Sequence, residues 1–343
     1  MHCTRGLRIN RWVQLQVLFS INFSKTITMK NIIIGMAVGD AVGVPYEFTS
    51  KEVMRTNPCT DMIGYGTHGQ PKGTWSDDTS MALCIVDSLC NGLNYTDIAD
   101  KFAEWLYGNL WTPHGKVFDN GMATRRAIDK WKTGNFYPTD CGGVDIGSNG
   151  NGSVMRTLAL VPYISNYNPD IRYTVVENVS AITHAHWISK YSCYLVCEFA
   201  VGLYKGNSKQ LAWHDARLAF NEIGASDIAW GNITQEDFDR VFGFFLTDDL
   251  TTLSNNHFNG SGYARDTAVT SMWCILTTDT YKEAVLKAIN YGDDTDTTAC
   301  VTGGLGGILY GLDGIPTDWV ESLARKDDII DLVEKYEAMY EFV

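Results

Sequence analysis

Residues 76–91 read SDDTSMALCIVDSLCN, and this stretch indicates the fold class. Its apolar residues recur at the three- and four-residue spacing of a single helix face. They are Met81, Ala82, Ile85, Val86 and Leu89. Ser76 stands where an N-cap is expected, because its hydroxyl can accept from a free backbone N–H of the first turn. The sequence therefore predicts a helix over 77–91 with one face in a hydrophobic core.

The same periodicity continues along the chain after Met29. It predicts further helices over 96–107, 120–132, 175–204, 210–221, 235–245, 263–276, 281–291, 296–310 and 327–340. No stretch alternates apolar and polar residues with the β-branched enrichment of a strand. No repeat, low-complexity linker or change of composition divides the chain. We therefore predict a single all-α domain over residues 29–343.

Composition narrows the possible functions. The chain has 343 residues, of which 45% are hydrophobic, 20% charged and 12% aromatic, so it has ample material for a core and is not a disordered or fibrous protein. Its net charge is −13 and it has no dense basic run. Binding to nucleic acid is therefore not expected, because phosphate contacts need clustered lysines and arginines.

The cysteines and the first residues bear on location. The nine cysteines form no C-x-x-C pair, and several lie inside apolar helical patterns, which indicates reduced thiols in a cytoplasmic protein. The sequence has no run of 18 apolar residues, so no membrane span is predicted. Residues 1–28 form a leader that loosely resembles a signal peptide, but polar residues interrupt its apolar part and no cleavage site follows. We expect this leader to be disordered or a wrongly assigned start, and its deletion to leave fold and turnover intact.

Two glycine patterns are informative. Residues 64–69 match the dinucleotide-binding fingerprint G-x-G-x-x-G, but Pro71 and Gly73 follow where a helix should begin, so a plain loop is predicted. Gly303, Gly307 and Gly311 recur every four residues. On a helix they would form a flat stripe that lets a second helix approach closely.

Two acidic loops suggest a metal site. Asp77 and Asp78 follow Ser76 at a predicted helix start, where one acidic residue would suffice for capping. Asp294 and Asp296, with Thr297 beside them, occupy a second such start. Taken singly, the first loop is explained by helix capping. A solvated acidic turn is the ordinary explanation of the second loop, but solvation explains poorly the hydroxyls that lie between its carboxylates. The second is not an EF-hand, because Ala and Leu occupy the positions of its invariant Gly and bidentate Glu.

The two loops together make a stronger case. If the fold brings them to one place, their carboxylates and hydroxyls supply the all-oxygen ligands that hard divalent cations prefer, in sufficient number for two ions. Without a cation, such carboxylates would repel each other and raise each other's pKa. Glu47, in a third glycine-rich turn, adds another carboxylate.

Five motifs in order along the chain resemble the ADP-ribosylglycohydrolase family. They are Gly39-Asp40 with Pro45-Tyr46-Glu47, residues 75–81, residues 150–156, Thr183-His184 and residues 292–298. The resemblance extends from about Ile33 to beyond Tyr310. It implies an orthogonal multi-helix, all-α single domain with a binuclear Mg²⁺ or Mn²⁺ centre in a cleft. The activity it implies is hydrolysis of the glycosidic bond at the anomeric carbon of ADP-ribose, in an ADP-ribosylated protein or a small ADP-ribose conjugate.

The resemblance also implies roles for individual residues. The metal ligands would be Ser76, Asp77, Asp78, Asp294, Asp296 and Thr297. Glu47, Asp77, Asp78 and Asp294 would be catalytic, with one carboxylate exchanging the proton. The residues that contact ADP-ribose would be Gly150, Asn151, Gly152, Ser153, His184 and Asp119, although helix capping explains Asp119 equally well. Asp293 departs from the family, in which several members have glycine at this position.

Two alternatives remain. A catalytically silent ADP-ribose-binding or structural relative would have lost metal carboxylates, all of which are present here. Another binuclear hydrolase, such as a phosphoesterase, would usually bring histidine ligands, and of the seven histidines only His184 lies in a recognisable motif. The residues leave open whether the bond is to arginine, serine, an O-acetyl group or a nucleic-acid adduct.

Overall fold

A computed structural model describes residues 27–340, and helices dominate this part of the chain. The α-helices are α1 Met29–Gly43, α2 Lys51–Thr56, α3 Asp77–Leu89, α4 Tyr95–Gly108, α5 Met122–Lys132, α6 Val161–Ile164, α7 Pro169–Ala181, α8 Trp187–Tyr204, α9 Lys209–Ala229, α10 Gln235–Phe238, α11 Ala264–Leu276, α12 Tyr281–Ile289, α13 Thr295–Tyr310, α14 Thr317–Ser322 and α15 Lys326–Tyr340. Extended segments within the described range form only isolated bridges and no sheet. The all-α prediction is confirmed. The leader prediction concerns residues that lie, apart from 27 and 28, outside the described part.

One long predicted helix is wrong. The apolar period of 175–204 continues through a break, and the structure has two helices there, α7 and α8, separated by residues 182–186. The N–H groups of Thr183 and His184 both donate to the carbonyl of Ser180, which closes a tight turn. The ring of His186 then caps α8 by accepting from the N–H of Ile188 at 3.3 Å. These contacts turn the chain although the hydrophobic pattern does not change.

Helix α1 was not among the predicted helices, and it lies at the centre of the fold. Nearly all of its residues are buried, so it has no polar face and no periodic stripe. It packs along α13, and the bundle of α8, α11 and α12 packs around α13. The core of the domain is therefore built on the α1–α13 pair.

Glycines bring α1 and α13 into backbone contact. A Cβ atom placed on Gly35 would lie 2.3 Å from the carbonyl oxygen of Gly303, and one on Gly307 would lie 2.1 Å from that of Asn31. The predicted close approach is confirmed for Gly303 and Gly307. It is wrong for Gly311, which follows the end of α13 with a left-handed φ of +71° and ends the helix. At the other end of the crossing, a Cβ on Gly43 would lie 2.4 Å from the Cα of Asp296.

The remaining sequence predictions about local structure concern a loop, the cysteines and the membrane. Residues 64–69 form a loop with one 3-10 turn, Gly66–His68, and the next helix begins only at Asp77, as predicted. The eight cysteines in the described range are free and buried. Among residues 27–340, no helix has the length and apolar character to span a bilayer.

Candidate metal centre and substrate cleft

The two acidic loops meet at the starts of α3 and α13. Ser76 caps α3 by accepting from the N–H of Asp78 at 3.3 Å. Asp294 caps α13 by accepting from the N–H of Thr297 at 3.3 Å. The Thr297 hydroxyl donates to Oδ1 of Asp78 at 3.1 Å, across 219 residues of sequence. The Thr297–Asp78 hydrogen bond therefore places the two helix starts side by side.

The loops lie beside a cleft of about 770 Å³. Predicted site residues that line it are Glu47, Asp77, Asp78, Asp119, Gly150, Asn151, Gly152, His184, Asp294 and Thr297. Ser76 and Asp296 are not among the lining residues. They are buried next to residues that are, and carboxylate oxygens of Glu47, Asp294 and Asp296 lie within 4.8 Å of one another.

The electrostatics of this cluster fit a divalent cation. Burial, followed by the charges of neighbouring carboxylates, raises the pKa of Asp77, Asp78 and Asp296 well above the usual range. Burial also raises the pKa of Asp294. Oδ2 of Asp78 is buried and has no hydrogen-bond partner among the described residues. Because a buried unpaired oxygen is costly and carboxylates are the ligands of hard cations, this cluster is able to bind metal.

Asp40, in α1, accepts hydrogen bonds from the start of α3 and so positions it. The sequence did not reveal this role. Asp40 is fully buried and accepts from the N–H of Ser76 at 2.9 Å. It also accepts from the N–H and the hydroxyl of Thr79, at 3.1 and 2.6 Å. Burial raises its pKa to about 7, against the lowering effect of these bonds. A lone carboxylate inside the apolar stretch of residues 29–43 was the available sign in the sequence.

Glu47 is held by the glycine-rich loop of residues 64–69. His68 Nε2 hydrogen-bonds to Oε2 of Glu47, and the Thr67 hydroxyl donates to the Glu47 carbonyl at 2.7 Å. The His68 ring lies between Phe48 and Phe118, with centroid distances of 6.0 and 5.3 Å. The bond to Glu47 raises the pKa of His68, and burial raises the pKa of Glu47. Sequence reasoning missed His68, and a histidine within this glycine loop was the available sign.

Residues 150–153 only partly match their predicted placement. Asn151 Nδ2 donates to Oδ2 of Asp294 and to the Thr267 hydroxyl, both at 2.9 Å, so it orients a predicted metal ligand. Ser153 does not line the cleft. Its hydroxyl accepts from Ser180 Oγ at 2.9 Å and from Cys193 Sγ at 3.3 Å, because the 3-10 helix Asn151–Leu160 turns it into the core.

His184 lies in the cleft wall as a neutral ring. Its Nδ1 is 2.8 Å from the Thr183 hydroxyl, which also accepts from Arg156 at 2.7 Å. Burial and the charge of Arg156 lower the pKa of His184 to about 3. A Cβ atom on Gly152 would lie 2.9 Å from the His184 ring, so the glycine leaves room for the imidazole.

Asp119 lies at the site, whereas Asp293 has a role in the backbone conformation of its loop. Helix α5 begins after Gly121 without a side-chain cap, so capping does not account for Asp119, whose carboxylate lies within 4.8 Å of groups on Glu47 and His68. Asp293 has a left-handed φ of +58°, which glycine adopts without strain. Its N–H donates to the carbonyl of Thr49 at 2.7 Å, and its own carbonyl accepts from the N–H of Phe48 at 2.7 Å. The Asp293 side chain is exposed and is not part of the cleft wall.

The chain is similar to several known proteins. The family model described as ADP-ribosylglycohydrolase matches residues 28–341. The chain is 28% identical to the ADP-ribosylarginine hydrolase Tri1 of Serratia proteamaculans, over 89% of this chain and 78% of that protein. It is 28% identical to the ADP-ribosyl-[dinitrogen reductase] glycohydrolase of Rhodospirillum rubrum, over 85% and 89% of the two chains. A solved structure described as an ADP-ribosylglycohydrolase-related protein complex superposes with a TM-score of 0.73 at 27% identity, covering 92% of this chain and 98% of that one. The chain belongs to the ADP-ribosylglycohydrolase family.

Proposed function

We propose that this protein is a metal-dependent hydrolase that removes ADP-ribose from modified protein side chains or related adducts. The observation that carries the proposal is the meeting of the α3 and α13 starts, where the Thr297 hydroxyl reaches Asp78 at the floor of the cleft. A silent relative would have no use for so many buried, mutually repelling carboxylates, since such a cluster destabilises a fold that gains nothing from it.

The proposed centre holds two divalent cations, Mg²⁺ or Mn²⁺. Its ligands are Ser76, Asp77, Asp78, Asp294, Asp296 and Thr297. When bound, the cations supply Lewis-acid polarisation of substrate oxygens. Asn151 and Asp40 position this ligand set, because each hydrogen-bonds directly to residues or backbone groups of the two loops.

Glu47 is the proposed acid/base. Cleavage at the anomeric carbon passes through an oxocarbenium-like transition state, in which a nearby carboxyl group exchanges a proton with the leaving group or the attacking water. Burial raises the pKa of Glu47 above its usual range, which favours a carboxyl group that can hold a proton. His68 fixes the direction of the carboxylate, and Asp119 adds negative charge beside it.

The walls of the cleft favour an ADP-ribose conjugate with a cationic leaving group. Glu47 and Asp119 are both carboxylates on the same wall, and together they suit a guanidinium. Arg126 and Lys130 also line the cleft, as do the backbone groups of residues 150–152, which suits a diphosphate. The relatives named as ADP-ribosylarginine hydrolase and dinitrogen reductase glycohydrolase support arginine as the first linkage to examine.

The test is release of ADP-ribose from a panel of defined conjugates. Purified protein is incubated with Mg²⁺ or Mn²⁺ and with ADP-ribosyl-arginine, ADP-ribosyl-serine or O-acetyl-ADP-ribose, and free ADP-ribose is quantified by chromatography. We expect release from the arginine conjugate, and none after chelation of the metal. Binding of ADP-ribose without release from any conjugate would favour the silent relative instead.

We further propose that the protein works in the cytoplasm. The eight buried thiols in the described range support this, because reduced cysteines persist in a reducing compartment.

A further inference from the structure

A second cavity, of about 650 Å³, is separate from the cleft. It shares no lining residue with the cleft and lies where α2 and α12 meet the segment around residue 255. Three cationic side chains line it, Lys51, Arg55 and Lys287. The other lining residues are three asparagines and Tyr291, all of them neutral hydrogen-bonding side chains. We refer to it as the basic pocket.

The charge of this pocket is opposite to that of the protein. The chain carries a net charge of −13, yet no carboxylate lines the basic pocket. None of its three cations belongs to an ion pair within residues 27–340. Lys51 and Arg55 are four residues apart on α2, where like charges face each other and repel. The carboxylate that acts on Lys51 is exposed Asp293, which lies outside the lining.

Two of the cations are held in place by the surrounding structure. Lys51 Nζ donates to the carbonyl of Phe258 at 2.9 Å and lies 4.6 Å from the centre of the Tyr291 ring. Lys287 Nζ donates to the hydroxyl of Thr277 at 2.7 Å and lies 3.7 Å from the centre of the Trp273 ring. Each ammonium has three N–H donors and uses one in a hydrogen bond, so donors remain for a ligand. Burial lowers the pKa of both lysines.

From this arrangement we infer that the basic pocket binds a phosphate group, free or as part of a nucleotide. A phosphate offers several acceptor oxygens to two ammonium groups and to a guanidinium that can bind it in a bidentate manner. The amide groups of the asparagines supply neutral donors around the same volume. The bound anion neutralises three cations that have no other counter-charge in the pocket.

A backbone segment links the basic pocket to the candidate metal centre. Tyr291 is followed directly by Gly292, where a Cβ atom would lie 2.6 Å from the backbone of Thr49 and of Lys51. The same loop continues to Asp294, the cap of α13. A phosphate bound between Lys51 and Lys287 thus connects α2 with α12. The segment that leads to the metal ligands follows α12 and contacts α2 at Lys51.

The first experiment locates the anion directly. Crystals of the full chain grown with Mg²⁺ are soaked in tungstate, a tetrahedral dianion whose anomalous scattering identifies it. We expect a peak among Lys51, Arg55 and Lys287. Anomalous density confined to the cleft, or none at all, would overturn the inference.

The second experiment measures affinity in solution. Calorimetric titrations of the Mg²⁺-loaded protein use inorganic phosphate in one arm and AMP in the other. We expect the Arg55→Gln/Lys287→Gln variant to weaken phosphate binding at this site about tenfold or more, since charge-assisted hydrogen bonds are lost. Tighter binding of AMP than of phosphate, lost in the same variant, would identify a nucleotide as the natural ligand. Equal binding would identify the phosphate group alone.

Matched controls separate this inference from the proposed hydrolase activity. Lys205→Gln removes the same charge from an exposed lysine outside both cavities, and its phosphate affinity should equal that of the wild type. Arg55→Gln alone changes an exposed side chain, so it keeps the fold and gives a readout even if Lys287→Gln does not fold. Both variants should retain basal ADP-ribose release. Phosphate affinity that is the same in Arg55→Gln as in the wild type refutes the site, whatever the hydrolysis assay shows.

Discussion

Replacing Gly307 with alanine should destabilise the whole domain. Alanine in place of glycine inside a helix ordinarily adds about 1 kcal/mol of stability. Here the new Cβ would lie 2.1 Å from the carbonyl oxygen of Asn31, a backbone atom that cannot rotate away. The α1–α13 pair would have to separate by about 1 Å, which forfeits a quarter to a half of each dispersion contact along the crossing.

The size of the effect follows from these opposing contributions. Overpacking a core costs about 1–3 kcal/mol and occasionally more, and a clash with rigid backbone belongs at the upper end of that range. After the helix-propensity gain is subtracted, we expect a net loss of about 2 kcal/mol, which lowers the melting temperature of a chain of this size by about 3 °C.

The matched control is Gly108→Ala. Gly108 is the last residue of α4, and a Cβ there would meet no atom within 4 Å. We expect Gly108→Ala to melt at or slightly above the wild-type temperature. Thermal unfolding followed by circular dichroism at 222 nm compares the three proteins. A Gly307→Ala variant as stable as Gly108→Ala would show that the two helices do not cross in backbone contact.

Three further predictions concern the site. Asp294→Asn should lower ADP-ribose release about a hundredfold or more while leaving a folded protein, because it removes a ligand charge without changing shape. Added Mg²⁺ or Mn²⁺ should raise the melting temperature, and more at pH 8 than at pH 6. The raised pKa values of the buried aspartates give the sign. Their protonated carboxyls stabilise the metal-free fold at low pH, and this contribution is lost as the pH rises through the raised values, about 7 for Asp40. A cation competes with protons for the ligand carboxylates, so it binds more tightly at the higher pH. His68→Ala should lower kcat about tenfold with little change in KM and shift the pH–rate profile, since Glu47 loses the partner that orients it.

A specific experimental result would contradict each of these predictions. Asp293→Asn changes a neighbouring carboxylate outside the cleft and should keep wild-type turnover, so equal losses in Asp293→Asn and Asp294→Asn would show a general charge effect. A melting temperature and a turnover that are unaffected by chelation would refute the metal centre. For His68, the control is exposed His214→Ala, and an unchanged pH profile in His68→Ala would show that His68 serves packing alone.

Local patterns in the sequence predicted much of the fold. Helices such as α3 and α4 carry an apolar face and a polar face, and hence a visible period. Helix α1 is buried on all sides and has no polar face, so its apolar residues show no helical period in the sequence. The turn at Thr183-His184 is set by hydrogen bonds to Ser180 and by the bonds of residues 142–143 to the backbone of residues 181 and 185. An apolar period cannot reveal such contacts.

Some residues of the candidate site were likewise predictable from local patterns in the sequence, and others were not. The acidic loops were visible in the sequence because carboxylates and hydroxyls cluster there beyond the needs of helix capping. The contacts of Asp40 and His68 were not visible in the sequence, because each side chain bonds to a residue 21 or more positions away. Ser153 was placed in the site by its neighbours in the motif, but a 3-10 helix rotates its side chain toward Ser180.

The α1–α13 crossing also determines when the site can come into existence as the chain is synthesised. The Thr295 hydroxyl donates to the carbonyl of Gly43 across 252 residues, so α1 leaves the ribosome long before its partner exists. Closing so long a loop is entropically costly, and an apolar helix without its partner exposes surface that favours aggregation. Nascent chains that end before α13 should therefore depend on chaperones. Acquisition of metal would then mark completed folding, because only the finished crossing brings the two acidic loops together.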